Sequence, residues 1–261
     1  MRTLEAWFSC DLYGVYSAGL SDPFLLRFSN KAKPYGECLN NYLRERSSNR
    51  TANRKALLRC LTMLRTACLS SKYRIIKTIR ANLRTSMEAM LSSPSFKIIH
   101  LIRDPRPTFI SKKHLGGCRK NPGGDAGCAM EHCDRVMMDT RLMDKLRTVD
   151  KLFNTFLTIT YEQVALDPVT MSKRMYDFVG MFFSDTISEY VHTITLGGNR
   201  TGCTVCSQRW QAGHKNTTSL DHVYSWKSSM PPFLINLVQS LCTDVIKYYN
   251  YEIVNVTTLQ P

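Results

Sequence analysis

The sequence predicts an α/β fold in which a parallel sheet is flanked by helices. Short apolar runs rich in β-branched residues alternate with longer stretches whose apolar residues recur every three or four positions. The apolar runs are nearly continuous, which is typical of strands buried on both faces of a parallel sheet. No internal repeat or long low-complexity linker interrupts the pattern, so we expect a single domain over residues 1–261.

Three strands and several helices account for this pattern in chain order. The predicted strands are residues 73–80, 96–102 and 155–162. The predicted helices are an amphipathic one around 57–68, then 82–93, 135–153, 168–180 and a closing helix over 231–251. Asp167 suits an N-cap, Pro168 the first helical position and Gly180 the C-terminal stop. A Gly- and Cys-rich stretch, residues 116–133, is expected to be a long surface loop.

The charge balance indicates an anionic partner. The chain has 35 Lys and Arg against 21 Asp and Glu, a formal net charge of +14 and a pI near 9.4. Nucleic acid, acidic glycan, a phosphorylated cofactor and an anionic membrane all fit that charge. We find no signal peptide and no apolar anchor segment in the sequence.

Cysteines and glycosylation signals favour the secretory pathway. Ten cysteines in 261 residues suit a disulfide framework or a set of reduced core thiols, and Cys203 with Cys206 adds a weaker zinc hypothesis. Four Asn-x-Ser/Thr sites begin at Asn49, Asn199, Asn216 and Asn255. Together they predict a glycoprotein with disulfides.

The segment KIIHLIRDPRPTFISKK, residues 97–113, is the strongest candidate site. Its apolar strand ends at Arg103, and Arg106 and Ser111 follow in the next connection and helix. Backbone N–H groups and the helix dipole at such a strand end favour anions, and a guanidinium with a hydroxyl can hold a phosphate. The alternative is structural: Arg103 and Asp104 form a salt bridge in the turn, and Ser111 caps a helix. Asp104 suits orienting an arginine or capping the helix better than acting as a base.

Other candidate residues have structural interpretations beside the functional ones. Glu162 follows a strand and suits a buried hydrogen-bonding role better than a catalytic one, and His100 suits the core. His114 is a marginal candidate. The remaining candidates are two strand-end cations and a possible nucleotide contact: Lys77, Arg80, Trp226 and Lys227. We favour core packing for Trp226.

Residues 97–113 resemble the 3′-phosphate-binding segment of the Golgi carbohydrate sulfotransferases, in the branch that sulfates the 6-hydroxyl of N-acetylglucosamine, galactose or N-acetylgalactosamine. Further segments occur in the order of that family: CDL at 10–12, IIKTIR at 75–80, YEQVALDP at 161–168, MYDFVGMFFS at 175–184, HTIT at 192–195, WK at 226–227 and LCTDVIKYYNY at 241–251. The resemblance implies a P-loop-NTPase-like sulfotransferase fold and 3′-phosphoadenylyl sulfate as co-substrate. It also implies that Arg103 and Ser111 bind the 3′-phosphate.

The resemblance further implies a glycan or glycosaminoglycan acceptor, a Golgi location and no metal. Nucleic acid is excluded as a partner because the chain has no recognition motif for it. The family's first strand and the Gly/Ser-rich loop for the 5′-phosphosulfate are not found, since only Gly14, Gly19 and Gly36 precede residue 100. We therefore expect an N-terminally truncated chain with no identified general base. The alternative function is a catalytically inactive paralogue that binds nucleotide or anionic glycan through its basic face.

Overall fold

The computed structural model describes residues 2–15, 17–20, 29–44, 50–79, 81–91, 95–150, 152–196 and 221–256. It divides into two compact units, Met1–Phe96 and Lys97–Pro261. The prediction of a single domain over residues 1–261 stays a prediction, and each unit is described by itself below.

Helices make up most of both units. The first unit contains α1 Arg2–Ser9, α2 Ser17–Leu20, α3 Lys33–Arg44, α4 Arg50–Leu69 and α5 Leu83–Leu91. The second contains β1 Ile98–Ile102, α6 Pro105–His114, α7 Gly124–Arg147, β2 Phe156–Thr160, α8 Tyr161–Leu166, α9 Pro168–Phe178, α10 Asp185–Leu196, α11 Asp221–Tyr224, α12 Trp226–Ser229, α13 Pro232–Leu241 and α14 Thr243–Tyr248. Single 3₁₀ turns lie at Leu12–Gly14, Asn30–Ala32 and Phe153–Thr155.

The first unit is built around the packing of α3 against α4. Its core includes the fully buried Leu12, Tyr35 and Leu61, and Leu61 lies in the amphipathic helix that the sequence predicts around 57–68. The disulfides Cys10–Cys68 and Cys38–Cys60 join α4 to the preceding elements. Burial raises the pKa of Tyr35 to about 12, and its hydroxyl donates to the carbonyl of Leu20 at 3.0 Å. This unit is therefore a small helical core closed by two disulfides.

The strand predicted for residues 73–80 is wrong over 73–79, where the chain forms neither helix nor strand. Ile75 and Ile79 are 81% and 85% exposed, so the apolar run is not buried. No strand lies beside it in the described part of its unit, and a lone strand leaves its backbone groups without ladder partners. Arg74 instead ties the segment to α1, because its guanidinium donates to the carbonyl of Phe8 at 3.0 Å. Arg80 lies outside the described residues.

The second unit holds a two-stranded parallel sheet, which matches the other two predicted strands. β1 pairs with β2 in the register Ile98 with Phe156 through Ile102 with Thr160. The connection between them passes through α6 and α7, as parallel pairing requires. Leu157 and Ile159 of β2 are buried beneath Met171 of α9. The mixed α/β fold with a parallel sheet flanked by helices is thus confirmed.

The main core of this unit packs α7 against α13 and α14. Cys133 and Cys242 form a disulfide between α7 and the residue that joins α13 to α14. The predicted surface loop at 116–133 is wrong in its second half, because α7 begins at Gly124 and buries Cys128, Ala129 and Cys133. A second disulfide, Cys118–Cys128, joins the remaining loop to this helix.

Four disulfides thus pair eight of the ten cysteines, and the disulfide hypothesis is confirmed for the described part of the chain. Cys203 and Cys206, with the sequons at Asn49, Asn199 and Asn216, lie outside the described residues. No helix within the described ranges is both long and apolar enough to cross a membrane.

Candidate functional site

The site is built where the two parallel strands end. Arg103 follows β1 directly and Tyr161 follows β2 directly, so the register of the sheet brings them to the same edge. The guanidinium carbon of Arg103 lies 4.2 Å from the centre of the Tyr161 ring. Such a cation–π contact fixes the plane of a guanidinium without using its N–H donors. Burial raises the pKa of Tyr161, the Glu162 carboxylate raises it further, and Arg103 opposes both.

Arg106 is a structural residue, although it lies only three positions after Arg103. It is 1% exposed and forms a paired contact with Asp104, at 2.9 Å from Nε to Oδ1 and 2.6 Å from Nη2 to Oδ2. Its Nη1 donates to Gln239 at 2.6 Å, and its guanidinium stacks over Trp226 at 4.2 Å. The predicted salt bridge between Arg103 and Asp104 is wrong, because Asp104 pairs with Arg106 instead. Trp226 packs in the core as expected.

The backbone amides at the start of α6 are already used, which corrects the expectation that they bind an anion. Pro105 and Pro107 have no N–H group. The amide of Arg106 donates to Asp104 Oδ1 at 2.9 Å, and that of Thr108 donates to the carbonyl of Asp104 at 3.3 Å. The first amides of α6 are therefore not free to bind an anion.

Ser111 lies on the exposed part of α6. It is six residues beyond Pro105, which places it about 9 Å along the helix axis from the first turn. Since Asp104 caps α6, the expectation that Ser111 caps a helix is wrong. The side chain of Ser111 is therefore accessible near the C-terminal end of α6. Arg103 is half-buried and lies just before the N-terminal end of the same helix.

Glu162 joins the ends of the two strands to the C-terminal segment. Its Oε1 accepts from the backbone amide of Asp104 at 3.1 Å, and its Oε2 accepts from the Tyr251 hydroxyl at 3.2 Å. Burial and the charges of Glu162 and Asp104 all raise the pKa of Tyr251, so the hydroxyl stays protonated and donates. The structural interpretation of Glu162 is thereby supported. Sequence reasoning missed Tyr251, because nothing local connects a residue 89 positions away to this site.

The remaining candidates do not join this group in the described structure. His100 lies within β1, and burial, reinforced by the charge of Arg147, lowers its pKa to about 4, as suits a neutral core histidine. His114 is exposed at the end of α6, and Lys77 is exposed in the first unit. Lys227 pairs with Glu252 at 2.7 Å on the surface.

The arrangement combines the Arg103 cation held by Tyr161, the accessible hydroxyl of Ser111, and the polar contacts that Asp104 makes with Arg106 and Glu162. It suits binding of a phosphate or sulfate group, for which Arg provides two donors in one plane. No group of three His, Cys, Asp or Glu side chains in the described ranges is arranged to hold a metal ion.

Comparison with known proteins gives a consistent result. The sulfotransferase family model matches residues 33–185, more than half of the chain. A carbohydrate sulfotransferase 1 from Danio rerio is 24% identical over 214 residues, 75% of this chain and 48% of the relative. A carbohydrate sulfotransferase 3 from Tetronarce californica is 24% identical over 208 residues, covering 74% and 45%. A carbohydrate sulfotransferase 2 from Homo sapiens is 26% identical over 224 residues, covering 70% and 41%.

The chain spans about half the length of the curated relatives it matches. No solved structure matches it significantly. The family match includes the whole of β1, α6 and β2 and thus contains Arg103, Ser111 and Tyr161. The family model covers more than half of the chain, and the chain therefore belongs to the sulfotransferase family.

Proposed function

We propose that this chain is a carbohydrate sulfotransferase that transfers a sulfuryl group from 3′-phosphoadenylyl sulfate to the 6-hydroxyl of N-acetylglucosamine, galactose or N-acetylgalactosamine in a glycan. The observation that carries the proposal is the position of Arg103, held by Tyr161 at the shared end of two parallel strands. The names of the relatives support a carbohydrate acceptor.

Arg103 and Ser111 hold the 3′-phosphate of the donor in this proposal. The guanidinium supplies charged N–H donors, and the hydroxyl supplies a neutral donor from α6. Both contacts come from side chains, because Asp104 already occupies the first amides of the helix. Tyr161 orients the guanidinium, so less side-chain freedom is lost when the phosphate binds.

Asp104, Arg106 and Glu162 act as positioning residues. The buried ion pair fixes the turn between β1 and α6, and Glu162 ties that turn to the end of β2 through the Asp104 amide. Arg103 leaves the sheet between these two anchors. A change at Arg106 is thus expected to act on the site through the fold rather than through a contact with the nucleotide.

Transfer itself requires further groups that donate to the sulfate oxygens and accept the proton of the attacking hydroxyl. We assign no residue of this chain to either role. The disulfides and the sequons support a proposed location in the Golgi lumen, an oxidising compartment in which N-glycosylated proteins are found.

Binding of adenosine 3′,5′-bisphosphate, measured by isothermal titration calorimetry, tests the phosphate site. Arg103→Ala and Ser111→Ala are expected to weaken binding, the first by about 10- to 100-fold because a charged hydrogen-bonding partner of the phosphate is lost. Arg174→Ala on α9 and Ser240→Ala on α13, both exposed, are matched controls that are expected to keep the affinity. Unchanged binding in the Arg103 and Ser111 variants would refute the site.

Tyr161 offers a finer test of the same arrangement. Tyr161→Phe keeps the aromatic face and is expected to bind the nucleotide normally, whereas Tyr161→Ala weakens binding about two- to fivefold. Equal losses in both variants would instead assign the effect to the hydroxyl.

The enzymatic part is tested separately, by transfer of radiolabelled sulfate from the donor to a panel of sugars ending in the three acceptors. Label found on the 6-hydroxyl of one acceptor supports the proposal. No transfer by a folded chain that still binds the nucleotide would favour the inactive, nucleotide-binding alternative.

A further inference from the structure

The last turn of α6 and the loop that follows it carry a cluster of cations that the phosphate site does not use. This basic loop comprises residues 112–120 and contains Lys112, Lys113, His114, Arg119 and Lys120 without an acidic residue. Lys113 forms an ion pair with Asp125. Among the described residues, no carboxylate lies within ion-pair distance of Lys112, Arg119 or Lys120.

The backbone of the basic loop is held by internal hydrogen bonds and by a disulfide. The amide of Gly117 donates to the carbonyl of Lys112 at 2.8 Å, that of Gly116 to Lys113 at 2.9 Å and that of Arg119 to Gly116 at 3.2 Å. Gly116 has a φ of +76°, which a residue with a side chain adopts at a cost. The disulfide Cys118–Cys128, buried at both ends, attaches the loop to α7. A fixed backbone lowers the entropy lost when a ligand binds.

The side chains of Arg119 and Lys112 pack against Gly116 and Gly117. A Cβ atom placed on Gly116 would lie 3.4 Å from Nε of Arg119, and one on Gly117 would lie 2.9 Å from Cγ of Lys112. The two side chains thus cover consecutive residues of the same turn. Nearby, burial lowers the pKa of His132 to about 4, and the charges of Lys112 and Arg135 add to that shift. The Glu131 carboxylate opposes this shift.

The dipole of α6 explains the positions of only some of these cations. Lys112, Lys113 and His114 lie in the last turn of α6, where cations stabilise the helix. Arg119 and Lys120 lie beyond the helix and are exposed, so the dipole does not explain them. By contrast, Arg141 on the surface of α7 is paired with Asp244.

We propose that the basic loop binds an acidic polysaccharide, a linear chain that carries repeated sulfate or carboxylate groups. Arg119 and Lys120 are exposed and Lys112 is half-buried, and several accessible cations suit an extended ligand with repeated charges better than one enclosed anion. The loop has no Phe, Tyr or Trp on which a nucleic acid base could stack, and Leu115 is its one large aliphatic side chain. The proposal concerns binding alone and holds whether or not the chain transfers sulfate.

Binding of the disulfide-intact chain to immobilised heparin and chondroitin sulfate, at several salt concentrations, tests this proposal. Arg119→Ser with Lys120→Ser is expected to weaken binding about tenfold near physiological salt and to make its salt dependence less steep. Lys173→Ser with Arg174→Ser on α9 is the matched control, because it removes one exposed Lys and one exposed Arg from another surface. That control is expected to retain most of the affinity.

Equal losses in the two double variants would overturn the proposal, since net charge alone would then explain binding. It would also be overturned if the unaltered chain failed to bind, or preferred vesicles containing one-fifth phosphatidylserine and lost that preference in Leu115→Ser. Nucleotide binding is measured on the same variants. Retained affinity for adenosine 3′,5′-bisphosphate in the loop variant, with loss of heparin binding, supports two separate sites.

Discussion

Two helices in this chain begin with the same Asp-Pro sequence, yet the two starting points have different roles. Asp104 and Pro105 begin α6, and Asp167 and Pro168 begin α9. In each case the carboxylate accepts from an amide of the first turn, at 2.9 Å from Arg106 and 3.1 Å from Thr170. The local capping chemistry is thus the same at both positions.

The surroundings of the two carboxylates differ. Asp104 is 5% exposed and also neutralises the buried Arg106, whereas Asp167 is exposed and acts as a helix cap. The comparison shows that a local capping signal predicts where a helix begins but does not reveal what else the capping residue does. At α6, the cap doubles as the counter-ion of an arginine beneath the candidate phosphate site.

Replacing each aspartate by asparagine is expected to separate the capping role from the counter-ion role. The largest loss of stability is expected at Asp104. Asp104→Asn keeps an oxygen for the cap but leaves the Arg106 charge buried without a counter-ion, which destabilises the fold by about 3–5 kcal/mol. Asp167→Asn keeps the cap at an exposed site and changes stability by less than about 0.5 kcal/mol. Urea unfolding with the disulfides intact measures both values. Similar losses in the two variants would mean that the buried pair adds nothing beyond the cap.

Acidic pH is expected to destabilise the fold through His100 of β1, by less than Asp104→Asn does. The pKa of His100 in the fold is about 4, below its ordinary value near 6.5, so the unfolded chain binds the proton more readily. Stability therefore falls as the pH is lowered from 6.5 towards 4, by on the order of 2 kcal/mol for this residue. His132 adds a fall of the same sign.

Comparing His100→Phe with the unaltered chain in urea unfolding at pH 7 and pH 4.5 isolates the contribution of this residue. The variant is expected to lose less stability on acidification than the unaltered chain. An equal loss in both proteins would show that His100 does not carry the effect.

Loss of the exposed cap is expected to have a smaller effect than acid. Asp167→Ala removes the oxygen that accepts from Thr170 and is expected to destabilise the fold by about 1 kcal/mol. The shift of the urea midpoint relative to Asp167→Asn measures the cap alone. A loss comparable to that of Asp104→Asn would contradict the distinction between the two helix starts.

Local sequence signals predicted a large part of the second unit. The apolar runs of β1 and β2, the cap at Asp167 and the stop at Gly180, whose φ is +68°, all follow from propensity and turn chemistry. The same signals wrongly predicted a strand at residues 73–79. They also predicted a loop up to residue 133, whereas α7 begins at Gly124. A β-branched run becomes a strand only when another strand pairs with it, and its own sequence does not say whether one does.

The sequence by itself determined the α/β class, the disulfide-rich character and the strand end from which Arg103 emerges, because these depend on residue type and short-range spacing. Only the tertiary structure decided that Arg106 is buried against Asp104, Gln239 and Trp226. It also decided that Tyr161 contacts Arg103 and that Tyr251 donates to Glu162. Those contacts join residues separated by up to 133 positions, and the packing of the core brings them together. Arg103 and Arg106 look equivalent in the sequence, and burial separates them, since a buried charge requires a counter-ion and an accessible one can bind a ligand.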